Sequence, residues 1–455
     1  MAIKQALAMT ALDEAAGRII KNSLSEIPGG WLALVETQDG KCLARAVQGE
    51  EAAAQKWIVD GTDEVNGIQV DVMPMNANNA ALVRRLVKWA APTACGTKGT
   101  SVGFSDWLGE AGAHVSDLFA KRQLKPVLVD YTPADSAALE RNFLEAVDTA
   151  TWGILEKGYK EGYGANAAGL KTEEEIVKAL LYGYSMIGFD CSDKINLDIE
   201  KMSAEAVNKR FEEFNETFRA ALNASYLKVE FKVGNSKLSF TEEQLQRIVL
   251  EYGEAIMHVQ DIYNNYLKNT PWEIDFELSL SKPGKVLTPQ EHYLIANEMQ
   301  RNGIKVTSVC LDPLKDSEAM NANLKLHCEI ADTFGYRLSF CNAEFMEEPA
   351  VAMKALKGKV HFKLNNVLWM EAVKLIAQKD QRLFKKIAEA IGTEAVGVEA
   401  FEDMDVYKTF ATSYKKILSP KEANLAGSVK GFLELNHESY AEAVHKTVGE
   451  FLKKL

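Results

Sequence analysis

Cysteine is scarce and scattered in this chain of 455 residues: six in all, Cys42, Cys95, Cys191, Cys310, Cys328 and Cys341, with no CxxC pair. That spacing excludes a disulfide framework and predicts free thiols in a reducing compartment. Long apolar runs are missing too. No stretch approaches the roughly eighteen residues that a membrane-spanning helix needs. Asp13 and Glu14 interrupt the N-terminal segment, which reads as a helix rather than a signal peptide. Positive charge is in deficit, with 52 Lys and Arg against 64 Asp and Glu, a net −12. A nucleic-acid binder would show a basic stripe, and none is present. The acidic balance also means that an anionic substrate would need a local basic group to overcome the global field. The expectation is a cytoplasmic protein with neither nucleic acid nor membrane as partner.

What is there is an ordinary globular mixture, 47% hydrophobic and 25% charged, in a chain long enough for one large core and an appendage. Residues 1–95 read as a small α+β domain. Asp39-Gly40 between the apolar runs 31–35 and 42–47 is a hairpin signal, residues 68–72 offer another strand, and residues 76–89 a helix with Asn-rich capping positions. From 96 to 392 the rhythm changes to a short β-prone run followed by a helix. The candidate strands are 101–105, 126–131, 162–170, 185–190, 274–280, 305–311, 337–341 and 360–364, with amphipathic helices such as 171–182 and 289–302 between them. Such alternation demands parallel pairing through right-handed crossovers. Eight units predict a closed (β/α)8 barrel of the TIM type, with a doubly wound open sheet as the alternative. Residues 227–240 alternate around Gly234-Asn235 and predict a hairpin insertion, serving as a lid or an oligomer contact. Residues 393–455 read as a helical extension that caps the barrel or a partner subunit, so a homo-oligomer is left open.

Barrels of this kind carry their chemistry at the C-terminal ends of the strands. The polar residues there are Ser105, Asp106, Asp130, Asn166, Asp190, Glu277, Asp312 and Asn342, then His361, Lys363, Asn365 and Asn366 of the eighth strand. Carboxylates from several strands plus a lysine suit proton transfer on an oxygen-rich small molecule, or would hold a hard cation. A single strand-end Asp serves equally well as a cap for the next helix. Lys363 shares a strand face with His361 and Asn365 while Phe362 and Leu364 take the other, which places it to bind a carboxylate or act in catalysis. Glu291-His292 would either support Glu277 or open a helix. Two tempting motifs fail in context. The glycine-rich segment 162–167 follows a helix rather than a strand, and His327-Cys328-Glu329 lacks a following PCxxC.

The strand-end segments, taken in order, resemble the tagaturonate/fructuronate epimerases. Phe104-Ser105-Asp106-Trp107-Leu108-Gly109 resembles that family's GDRLG segment, and the stretch from Gly162 to Thr172 is similar to its GADADHLKT. Gly183 to Asp190 looks like GYTMFTIDPS, while Glu291-His292 and His361-Phe362-Lys363 match its EH and HLK segments. The resemblance runs from about residue 70 to the C-terminus. It implies interconversion of keto-hexuronates that differ at one hydroxyl-bearing carbon, with a divalent metal such as manganese, nickel or zinc. Asp106, Lys171, Asp190, His292, His361 and Lys363 stand where the pattern is kept, and Glu277 falls on a strand that carries an acidic pair. There are also departures. Gly169 and Cys341 replace two histidines, Asn166 and Ala168 two aspartates, Trp107 an arginine and Tyr407 a C-terminal histidine. Losing imidazoles argues against the parent metal site, which would have to be rebuilt from Asp190, Glu277 and Cys341. The reading is a sugar-acid epimerase with Glu277, Asp190 and Lys363 catalytic and Asp106, Asn166, Lys171, His361 and Asn365 on the substrate. A sugar-acid binder without turnover, and an aldolase acting through a Lys363 Schiff base, stay open.

Overall fold

The run Trp31-Leu32-Ala33-Leu34-Val35 offers apolar side chains to both faces of a strand, so the sheet that contains it must be covered on both sides. The computed structural model describes residues 3–49, 54–110, 112–120, 122–280, 282, 284–285, 287–312, 317–394 and 397–455. In it Gly30–Thr37 and Gly40–Val47 form the expected hairpin, and Gly40 sits at φ +121°, where other residues are strained. Arg18–Ile19, Ser25–Ile27, Gly61–Val65 and Ile68–Met73 complete a six-stranded antiparallel sheet. Helix Gln5–Ala15 covers one face through Ala8, Ala11 and Leu12. The other face packs on helix Ala77–Leu86 and on Trp152 and Leu155 of a barrel helix, Phe143–Lys157. Arg84 pairs with Asp148 at 2.7 Å across that joint. The strand Gly61–Val65 is not foreseen, because an exposed Thr-Asp-Glu edge carries no hydrophobic alternation.

Eight parallel strands close into a barrel: Thr100–Phe104, Leu124–Tyr131, Gly164–Leu170, Met186–Asp190, Asp275–Ser279, Ser308–Leu311, Arg337–Phe340 and Val360–Leu364, numbered one to eight. Strand eight pairs with strand one through His361↔Ser101 to Leu364↔Phe104, which removes the open-sheet alternative. Capping boxes at Thr172/Glu175 and Thr288/Glu291 set the starts of helices Glu173–Leu181 and Pro289–Arg301. Phe104, Phe276, Leu278, Phe340 and Phe362 belong to the apolar core between sheet and helices. The barrel interior is unusual. Such barrels are ordinarily filled with branched apolar side chains, yet the polar residues Ser101, Asp130, Asn166, Asp275, Glu277, Ser308, Arg337, Ser339, His361 and Lys363 are all buried in these eight strands. Burying that many polar groups costs stability unless each finds a partner, so the arrangement marks a site rather than a packing solution.

The insertion after strand four carries helices Ala204–Phe211 and Glu216–Tyr226, the expected hairpin Phe231–Val233/Ser236–Leu238, and helix Glu242–Ile262. The hairpin is not a lid. Phe231 and Phe240 pack on Tyr226 and on Tyr293 of the outer helix layer. Gly234, at φ +56°, presses so close to Glu329 that a Cβ there would lie 2.8 Å from its Cγ. The C-terminal extension caps the barrel instead. Helix His437–Lys454 lies along Val367–Lys379, with Tyr440 Oη donating to Leu368 O at 3.0 Å, and the short helix Tyr414–Leu418 reaches the barrel mouth. No helix among the described residues is long and apolar enough to cross a membrane.

Candidate active site

Lys363 stands at the centre of the barrel, 2% exposed as a residue, and its ammonium lies between two carboxylates. Glu277 Oε1 is 2.5 Å away and Asp130 Oδ1 3.8 Å. Asn166 Nδ2 donates to Asp130 Oδ1 at 2.8 Å and Asn365 Nδ2 to Oδ2 at 3.2 Å, while Ser308 Oγ donates to Glu277 Oε2 at 2.9 Å. Strands two, three, five, six and eight thus each contribute one inward residue to a single cluster, with Asn365 directly beyond strand eight. Burial alone would lower Lys363, but Asp130 and Glu277 hold it well above the ordinary lysine value. The two carboxyls part company. Burial pushes both up, yet the nearer Lys363 wins at Glu277 and leaves it below its ordinary value, whereas Asp130 ends above its own. Two carboxyls driven apart in this way divide into a fixed counter-ion and a group able to take and give a proton.

Beneath this centre Arg337 Nη1 donates to Ser101 Oγ at 2.8 Å, and Ser101 Oγ shares a hydrogen bond with His361 Nδ1, also at 2.8 Å. The other ring nitrogen, Nε2, is enclosed without a hydrogen-bond partner among the described residues. Burial, then Lys363 and Arg337, holds this imidazole down to about 3, so it is neutral wherever the protein is folded and at work. Asp275 closes the bottom by accepting the N–H groups of Cys95 and Gly96 at 2.6 and 2.8 Å. Asn166 Oδ1 is likewise enclosed without a hydrogen-bond partner among the described residues. Such atoms are the usual anchors of ordered water.

Above the centre opens a cavity of about 340 Å³. Asp130, Lys363 and Asn365 form its floor, Ser105, Ala168, Asp312, Cys341 and Asn342 its sides, and Trp107, Thr412, Tyr414 and Lys415 its roof. Trp107 and Tyr414 stack with centroids 3.4 Å apart and planes 9° from parallel. The Tyr414 hydroxyl donates to Asp135, which also pairs with Lys415 at 2.8 Å. The extension thereby supplies one wall of the cavity.

The expected residues fall into two groups. Glu277, Lys363, Asn166 and Asn365 come together, with His361 directly below. The rest do not join them. Asp190 faces Lys171 at 3.8 Å, and Lys171 pairs more closely with Asp193 at 2.7 Å. Asp106 closes the loop after strand one by accepting Gly109 N and Glu110 N, and it faces a separate cleft with Arg141 and His114. Glu291 caps its own helix and pairs with Lys282, and His292 is sealed between His327 and Tyr336, so neither supports Glu277. Cys341 contacts Cys310. Sequence reasoning set Asp130 among the strand ends without choosing it, and missed Ser308 and the roof residues Tyr414 and Lys415.

A family model for the tagaturonate epimerases matches residues 20–455. The chain belongs to the tagaturonate epimerase family. A tagaturonate/fructuronate epimerase of Thermotoga maritima is 28% identical over 454 residues, spanning 91% of this chain and 92% of the relative. The same fold is seen in a fructuronate-tagaturonate epimerase of Cohnella laeviribosi. Its glycerol complex is 23% identical with a TM-score of 0.86 over 99% of both chains, and its native form 24% identical with 0.85 over 98% of both.

The divalent metal that the resemblance implies meets a donor set that does not fit it in this family member. Glu277 has one oxygen on Lys363 and the other on Ser308, Asp190 is turned to Lys171, and Cys341 to Cys310. Gly169, at φ +63°, offers no side chain at all. Among the described residues no three His, Cys, Asp or Glu side chains converge as a cation site. The positive charge at the centre is the Lys363 ammonium.

Glu344 makes a prediction about pH. Its Oε1 accepts both Asn366 N and Nδ2 at 2.8 Å, and its Oε2 is enclosed without a partner among the described residues. Burial raises this carboxyl from the ordinary 4.5 to about 7. The folded state therefore binds the proton more tightly than the unfolded one. The stability this gives is full below pH 4.5 and is lost as pH climbs to about 7, roughly 2–3 kcal/mol. Urea unfolding of Glu344→Gln between about pH 5 and pH 8 is expected to lack that slope; a variant curve parallel to wild type would refute the assignment.

Proposed function

We propose that this chain interconverts tagaturonate and fructuronate in the cavity above Lys363. The observation that carries the reading is the Lys363 ammonium set between two carboxyls at the floor of that cavity, Glu277 held below its ordinary value and Asp130 above its own. Asp130, oriented by Asn166 and Asn365, exchanges the proton with the substrate. Lys363, kept charged by Glu277, steadies negative charge that develops on a substrate oxygen. The Trp107–Tyr414 stack gives the sugar's C–H face an apolar wall. A Schiff-base aldolase is not favoured, since that chemistry needs a free neutral amine and Lys363 is held protonated. Nothing in the comparisons favours a binder without turnover. A proton NMR time course of the purified chain with tagaturonate, with and without added manganese, nickel or zinc, is the test. Fructuronate should appear without added metal; no conversion under any condition would overturn the proposal.

With Lys363 assigned to the developing charge, the substrate's carboxylate falls to Lys415, the other ammonium among the described residues around the cavity. Its side chain is 42% exposed and already shares Asp135, which tempers the effect. Lys415→Gln is expected to raise KM for the sugar acid about tenfold with kcat nearly unchanged. An unaltered KM would place the carboxylate elsewhere.

A further inference from the structure

The mechanism above uses neither member of a sulfur pair at the mouth. Cys310 lies on strand six and Cys341 directly after strand seven, two residues beyond Ser339, the register partner of Cys310. The Cys341 N–H donates to Leu311 O at 3.0 Å, so backbone hydrogen bonds clamp the pair on both sides. The two Sγ atoms stand 2.7 Å apart. That is inside ordinary sulfur contact and little more than the bond length of about 2.05 Å in a disulfide. Cys341 lines the cavity with Lys363 and Asp312, and Cys310 lies behind it, buried.

We propose that Cys310 and Cys341 form a modification site, closing into an intramolecular disulfide when a hydroperoxide enters the cavity and reopening with thiol reductants. Cys341, the sulfur that faces the cavity, attacks hydrogen peroxide. The O–O bond breaks, an S–OH bond forms on Cys341, and one water leaves with the thiol proton. Cys310 Sγ then attacks Cys341 Sγ, the S–S bond forms, and the hydroxyl departs as a second water with the Cys310 proton. Two thiols are oxidised by two electrons, and one peroxide is reduced to two waters. The hydrogen bond with Cys310, and then burial, holds the Cys341 thiol well above its ordinary value, which leaves little thiolate and makes the attack slow, so excess peroxide is needed. A sugar acid in the cavity would cover Cys341, an expectation that rests on the proposed function.

The test treats the purified full chain with excess hydrogen peroxide, then denatures, alkylates and digests it without reduction. The six alkylatable cysteines should fall by two, a crosslinked peptide should join Cys310 to Cys341, and dithiothreitol should restore all six. Cys310→Ser should leave Cys341 as a sulfenic acid that dimedone traps. The proposal is overturned if all six thiols persist, if the crosslink joins other cysteines, or if Cys341 goes to sulfinic acid while Cys310 stays alkylatable. Saturating tagaturonate should slow the crosslink. An unslowed crosslink counts against the sugar-acid reading of the cavity and leaves the disulfide standing.

Discussion

Lys363→Met is expected to lower stability by about 3–5 kcal/mol and to abolish epimerisation at the same time. The side chain is buried between Glu277 and Asp130, and both carboxylates rely on it for charge compensation. Removing one partner of a buried pair leaves the other charge stranded, which costs far more than the pair itself contributes. Ser308 still donates to Glu277, and Asn166 and Asn365 to Asp130, but neutral donors do not replace an ammonium. Adding Glu277→Gln to Lys363→Met should therefore recover part of the lost stability and none of the activity. Thermal and urea unfolding of the single and double variants measure the coupling directly. If the double variant is no more stable than Lys363→Met alone, Glu277 is not the charge that Lys363 compensates. Retained turnover in Lys363→Met would remove the ammonium from the chemistry altogether.

The barrel was legible because its signal is local. Each strand announces itself as a short β-prone run before an amphipathic helix, and all eight appear where that rhythm puts them. Boundaries shifted by up to three residues, as at Leu124, Gly164 and Ser308, and the helix expected from 171 starts at Glu173, after its Thr172 cap. Lys363 was legible for the same reason, since period-two alternation within one strand sends it inward with His361. What alternation cannot show is which inward residues of different strands meet. Asp190 and Asp130 both end a strand with a carboxylate. Only the closed barrel shows that Asp130 turns to Lys363 while Asp190 is drawn off by Lys171, a local partner the resemblance cast as a substrate ligand. The roof was hidden for a different reason. Tyr414 and Lys415 reach the mouth from nearly 280 residues beyond Asp135, and no periodicity spans that distance. Trp107, where the family has arginine, acquires meaning only once Tyr414 is seen stacked on it.

Asp130→Asn should separate the chemistry from the fold. The amide keeps nearly the same shape on strand two, and its position 3.8 Å from Lys363 makes it the weaker of that residue's two charge partners. Glu277, 2.5 Å away, still holds the ammonium in place, so the folded centre survives better than in Lys363→Met. The amide cannot take up a proton, and it places an N–H where Asn166 and Asn365 now donate. Loss of a positioned general base or acid typically costs about 10²–10⁴ in rate. The expected result is a fall of that size in kcat with KM close to wild type, the reverse of the pattern set for Lys415→Gln. The competing centre at strand four gives the experiment its contrast. Asp190→Asn removes a carboxylate that pairs with Lys171 outside the described cavity, and on this reading it should leave kcat within a fewfold of wild type. If Asp190→Asn instead stops turnover while Asp130→Asn does not, proton transfer belongs to strand four. The Lys363 cluster would then be an electrostatic support beneath the site.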